Sequence, residues 1–174
     1  MSQSLFLQAA SEYQLAELAR QPDRLRATAR GGQHQRPAYG ATSGARTDVL
    51  GLRQSWQVLH GLLAGSPWEG PRPANTLMAG GREIGADLGG GQPRLASAAE
   101  TVAFAQYVAP LCPYRLRDCV DRRRVARTRF YAAESGECPE LEDLRDCVVR
   151  DLPKLKAYLG RAANGSHGLL MWMM

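Results

Sequence analysis

Two unbroken apolar runs lie near opposite ends of this chain, Leu5-Phe6-Leu7 and Gly168-Leu169-Leu170-Met171-Trp172-Met173. Neither alternates with polar residues, so neither suits a strand with one wet face. Left exposed, they would make an apolar patch larger than soluble monomers carry. Both are therefore expected to be buried strands of one sheet, which requires the two ends of the chain to meet. Helices must cover that sheet, and the sequence between supplies them.

The first strand is expected over Ser4 to Ala9. Ser11 follows, and Gln14 three residues on completes a capping box for a helix with Tyr13, Leu15 and Leu18 at its apolar positions. Pro22 suits the first turn of a second short helix over 23–29. Residues 31–46 lack periodicity and read as a surface loop. Leu52, Trp56, Leu59 and Leu63 share one helical stripe with His60 beside it, and Gly65-Ser66-Pro67 stops that helix. Between 75 and 94 the glycines at 80, 81, 85, 89, 90 and 91 predict turns and short extended pieces.

Ser97 with Glu100 forms a second capping box, for a helix carrying Val102, Phe104, Tyr107 and Val108 and ended by Pro110 and Pro113. Residues 114–130 read as helical for most of their length and densely basic. Pro139, with Glu140, Glu142 and Asp143 behind it, is a helix start with acids at the positive dipole end. From Leu141 the stripe Leu144, Val148, Leu152, Leu155, Leu159 and Ala162 runs straight through Pro153, which predicts one helix kinked there. Gly165 terminates it.

At 174 residues the chain is read as a single domain over 1–174. Its formal charge of +5 is carried by arginine, since Lys154 and Lys156 are the only lysines. Joint enrichment in arginine, alanine and glycine looks like the composition of a GC-rich genome, which discounts the charge as a functional signal. Cys112, Cys119, Cys138 and Cys147 follow no metal-ligand spacing, so no metal, cofactor or disulfide is expected. No basic lead and long apolar run marks a secretory signal, and no run approaches a membrane span. A cytoplasmic protein with reduced thiols is the expectation.

Several segments resemble a known family. Trp56-Gln57-Val58-Leu59-His60-Gly61-Leu62-Leu63-Ala64-Gly65 is similar to the Trp-x-x-Leu/Ile-His-x-Leu-Leu-x-Gly segment of the YfbM-like family, a bacterial domain of unknown function (DUF1877). Asn75 through Gly81 and Ile84 through Gly89 resemble that family's central Asn…Gly-Gly…Asp-Leu-Gly block. Gln92-Pro93-Arg94, and the ending from Leu155 to the last apolar strand, match in order. Two places depart: Arg53-Gln54 stand where the family often has an acid and a lysine, and Gly90-Gly91 replaces an aromatic-glycine pair. The resemblance implies an α+β fold, with helices packed on a small mixed sheet containing both terminal strands. It implies no activity.

Two functional readings follow. In the first, the chain is a non-enzymatic protein-binding domain whose partner is an acidic protein. Its specific version is an inhibitor that neutralises a toxin, an immunity protein. The basic run, with Arg122, Arg123 and Arg124 at its centre, is then the docking face. Nucleic acid ranks behind, because no aromatics interleave the arginines to stack bases. In the second, the chain is an enzyme or small-ligand binder with a cleft between the Trp56 helix and the glycine-rich segment, built from Trp56, His60, Asn75, Asp87 and Arg94. Trp56 and His60 lie one turn apart and would stack on a ligand, or else pack in the core. The glycines would offer amides to an anion, with Arg82 or Arg94 as counter-charge, or else serve tight turns. No P-loop, G-x-G-x-x-G or G-x-S-x-G motif is present, which points away from an enzyme.

Overall fold

Strand β1 (Leu5–Ala10) and strand β5 (Gly168–Met173) pair antiparallel along their whole length, from Leu5↔Met173 to Ala10↔Gly168. The computed structural model describes residues 4–22, 49–53, 55–66, 68–122 and 140–174. The strand pair lies inside a five-stranded sheet of order β2-β1-β5-β4-β3, with β2 at Val49–Leu52, β3 at Arg82–Glu83 and β4 at Arg94–Ala96. Every pairing is antiparallel, so the sheet is not the mixed one expected. The reason is topological. β1 and β4 each run into a helix and point the same way, but β5 slots between them as the antiparallel partner of both.

Alternation along the strands divides the core in two. Leu5, Leu7, Leu169 and Met171 face one side, against Trp56, Leu59, Phe104, Val148, Leu152, Leu155 and Leu159. That side is covered by α2 (Ser55–Ala64), α4 (Ala98–Val108) and α6 (Leu141–Asn164). Ala10, Leu95 and Leu170 face the other, where Leu15 and Leu18 of α1 (Glu12–Arg20) pack on them. The terminal runs are continuously apolar because helices lie on both faces of the central strands. Together these elements make a single α+β domain with six helices among the described residues.

Local chemistry sets the helix ends. In both capping boxes the serine hydroxyl accepts from the third helical amide and that residue's side chain accepts from the serine amide: Ser11 with Gln14, Ser97 with Glu100. Helix α6 is continuous through Pro153, which stands on its exposed side. The hydrogen bond that proline cannot donate is thus lost where water can compensate. Three expectations change. A short helix α3 (Thr76–Ala79) forms inside the glycine-rich stretch read as turns. Pro113 opens helix α5 (Pro113–Asp118) at a first-turn position instead of only ending its predecessor. The helix expected over most of 114–130 is interrupted at Cys119, Val120 and Asp121, and residues 123–130 lie outside the described residues. The expected helix at 23–29, the loop at 31–46 and Pro139 lie outside the described residues.

No helix among the described residues is long and apolar enough to cross a membrane. Cys112 and Cys119 are exposed free thiols and Cys147 is a half-buried one, while Cys138 lies outside the described residues.

Tyr158 ties α6 to the sheet. Its hydroxyl donates to the Leu7 carbonyl at 3.0 Å and accepts from the Ala9 amide at 2.6 Å. Ala9 lies one residue past the last registered β1–β2 pair, Gln8↔Val49, so the tyrosine continues the ladder where the strand partner stops. Tyr158→Phe strips both backbone groups of this partner and should destabilise the domain by ~1–3 kcal/mol, the cost of unsatisfied buried polar groups. Chemical denaturation measures it. A loss below the error of the method would mean the hydroxyl is dispensable.

Candidate functional site

Helix α2 carries the two side chains that the sequence places closest to chemistry. Trp56 is 1% exposed and His60 is 0% exposed, so both are inside the core. The sequence suggests either a ligand-stacking wall or core packing for this pair, with His60 at the edge; His60 is instead fully enclosed. Neither of its ring nitrogens has a hydrogen-bond partner among the described residues. Burial, with the nearby Arg94 charge adding to it, lowers its pKa to about 4. The ring is therefore neutral at physiological pH.

Arg94, on β4, is buried at 5% exposure and has a definite task. Its guanidinium donates to the carbonyls of Leu77 at 2.7 Å, Gly80 at 3.3 Å and Thr76 at 3.5 Å. The Leu77 and Gly80 carbonyls lie open at the C-terminal end of helix α3, while the Thr76 carbonyl also accepts from the Gly80 amide at 3.1 Å. Burial lowers the Arg94 pKa to about 10 against the opposing pull of Glu83, and the group stays cationic. Asn75, half-buried, is the N-cap residue of α3 but makes no side-chain cap hydrogen bond, and its side-chain oxygen is buried without a partner among the described residues. Asp87 is elsewhere, exposed on the surface. Its carboxylate accepts from the amides of Gly89 at 2.6 Å and Gly91 at 2.9 Å, which holds its pKa below the usual range. Both glycines have positive φ, so the Asp-Leu-Gly block is a side-chain-closed turn.

The structure thus brings His60 within the electrostatic reach of Arg94 and places Asn75 beside the helix that Arg94 holds. Asp87 does not join them. Trp56, His60 and Arg94 are closed off from solvent, and none of the three lines the groove described below.

The exposed chemistry lies elsewhere. On α5, Tyr114 is 63% exposed and Arg115 beside it is exposed, as is Arg122. This aromatic escaped the sequence reading of a run without stacking residues; a helix of only six residues turns it outward. Arg117 is engaged with Glu142 at 3.2 Å, and Glu142 also takes Arg145 at 2.6 Å. Arg123 and Arg124 lie outside the described residues. Cys112, just before α5, has a thiol whose pKa is lowered by the amides of Arg115 and Tyr114 and the charges of Arg115 and Lys156.

Two further features were not anticipated. One is an open groove of about 500 Å3 between α1 and the β3–β4 hairpin, with Glu12, Arg72, Arg82 and Glu100 on its walls. Its residues come from four separate segments, and no local motif marks it. The other is Asp151, a buried acid on the apolar face of α6. Burial would raise its pKa, but hydrogen bonds from Arg150 and Lys154 override that and hold it at about 2. The signal was available: position 151 continues the spacing from Leu144 and Val148 to Leu155.

Trp56→Ala should cost ~3–5 kcal/mol, enough to leave most of the chain unfolded; circular dichroism and a melting curve read this directly. A well-folded variant with an unchanged melting temperature would remove Trp56 from the core. The titrations give two separate acid windows. A histidine whose folded pKa is lowered from 6.5 to about 4 leaves stability full above pH 6.5 and reduces it down to pH 4, by about 3 kcal/mol. Asp151, lowered from 3.8 to about 2, contributes stability above pH 3.8 that is lost from there to pH 2. Its share is on the order of 1–2 kcal/mol, since Arg150 and Lys154 are half exposed to water. His60→Leu should flatten the first window and leave the second. An unaltered slope between pH 6.5 and 4 would show that His60 is not what titrates there.

Over residues 1–172 the chain matches the model of a family described as a domain of unknown function, DUF1877. No curated protein matches it. The crystal structure of YfbM, a protein of unknown function from Escherichia coli, is similar over 100% of both chains, with a TM-score of 0.69 and 17% sequence identity. At that identity the likeness shows the fold alone. On the strength of the family match, which spans nearly the whole chain, this protein belongs to the DUF1877 family.

Proposed function

We propose that this chain is a non-enzymatic protein-binding domain whose partner presents an acidic surface, and that a toxin-neutralising inhibitor is the specific form to test. The observation that carries the reading is the exposed pair Tyr114 and Arg115 on α5, with exposed Arg122 close behind in sequence. Tyrosine and arginine are the residue types that dominate interface energetics, because each offers a large contact area with a polar tip. Arg117, by contrast, is already committed to Glu142. The rival reading, an enzyme or ligand binder using Trp56, His60, Asn75, Asp87 and Arg94, has less support. Three of those side chains are buried and the Asp87 carboxylate is occupied by its own turn.

The test has two parts. A pull-down with the full chain should recover a stoichiometric acidic partner. Charge reversal at Arg115 and Arg122, and separately at Arg122, Arg123 and Arg124, should then weaken that complex while leaving the melting temperature nearly unchanged. The loss should come largely in the association rate and shrink at high salt. Unchanged affinity at low salt in both variants would exclude this face as the interface.

A further inference from the structure

The groove between α1 and the β3–β4 hairpin has a charge arrangement that selects a class of ligand. Its apolar lining is Leu15, Ala16, Leu95 and Ala96. On its walls stand two acids and two bases. Arg72 and Glu100 are paired at 3.0 Å, and Glu100 also serves the α4 capping box, so these two are spent on each other and on the helix. Glu12 and Arg82 remain, both exposed and with neither side chain in an ion pair or hydrogen bond with other described residues. One free anion and one free cation thus border an apolar surface, in a volume of about 500 Å3, within the range of small-molecule sites.

A purely anionic ligand would meet Arg82 but be repelled by Glu12, and a purely cationic one the reverse. A neutral apolar ligand would leave both charges unused. We propose that this groove binds a zwitterion with an apolar body, of the amino-acid or short-peptide type, its ammonium group toward Glu12 and its carboxylate toward Arg82. The apolar side chains lie on Leu15 and Leu95. The site shares no residue with the α5 surface, so either assignment can fail without the other.

The experiment is a titration of the 15N-labelled full chain, followed by NMR, with two probes in parallel: leucine and the tripeptide Ala-Leu-Ala. The amides of Gly81 and Ser97, which line the groove, are the reporters. At least one probe should shift them saturably at millimolar concentration. N-acetylation of that probe, or Glu12→Gln, should weaken binding about two- to fivefold, the worth of an exposed ion pair. The two changes together should do no more than either alone. C-terminal amidation and Arg82→Gln should behave likewise as a second pair. Which probe binds tells the amino-acid source from the peptide source. The proposal is overturned if neither probe moves the reporters, or if the doubly blocked tripeptide binds as well as the free one. Both substitutions are at exposed side chains, and an unchanged melting temperature verifies that the variants are folded.

Discussion

The pairing of β1 with β5 is the constraint from which the rest of the architecture follows. It joins Leu5 to Met173, so the central strands of the sheet come from opposite ends of the chain. Nearly every residue between must be laid down so that those ends can meet. Helix α6 delivers the chain to β5 through a tight turn, in which the Gly165 amide donates to Arg161, the His167 amide donates to Ala162, and Ser166 takes a positive φ. Gly168 then enters where no side chain fits: a Cβ there would collide with the Ala96 carbonyl and the Leu15 side chain. The entry of β5 between β1 and β4 is thus set by a glycine, and pairing over such sequence separation is slow to form in folding.

Burying both faces of the central strands has a consequence for the polar residues that share the core. The face under α2, α4 and α6 takes in Arg94, His60 and Asp151 along with the leucines. Each is handled differently. Arg94 has three carbonyl acceptors and no carboxylate within hydrogen-bond distance among the described residues, so its charge is held by dipoles. Asp151 is paired by two cations on its own helix, Arg150 and Lys154. His60 has neither, and stays neutral by giving up its proton. Arg94 fastens β4 to α3, and Asp151 is held within its own helix, whereas His60 makes no hydrogen bond among the described residues.

How much of this could be read from the sequence depended on whether the signal was local. The two capping boxes, the α2 stripe, the passage of α6 through Pro153 and the terminal strands are patterns within a few residues, and they are present where expected. Helix α3 was missed because it holds together through Arg94, fifteen residues past its last residue, and not through its own four-residue sequence. The antiparallel character of the sheet depends on where β5 inserts, which no local pattern encodes. For the candidate site, the apolar stripe favours Trp56 as core over ligand wall, and the side chain is buried in the core. The groove at Glu12 and Arg82 was illegible, because its walls come from segments seventy residues apart in sequence.

The same distinction bears on what family membership can say about function. The segments through which the chain resembles its family are Trp56 to Gly65, the Asn75 to Gly89 block, Arg94 and the C-terminal ending. Trp56, Leu59 and Leu63 pack the core, Arg94 closes α3, Asp87 closes a turn, and the ending supplies α6 and β5. These residues report how the chain folds. A signature made of core and turn residues persists wherever the fold does, which fits a structural likeness to YfbM that covers both chains at 17% identity. Its exposed members, such as Asp87, are spent on turns, and binding specificity is written at exposed positions that are free to meet a partner. The features that distinguish this chain functionally are thus to be sought outside the signature: Tyr114 and Arg115 on α5, Glu12 on α1, and Arg82 in the gap the signature skips between Gly81 and Ile84.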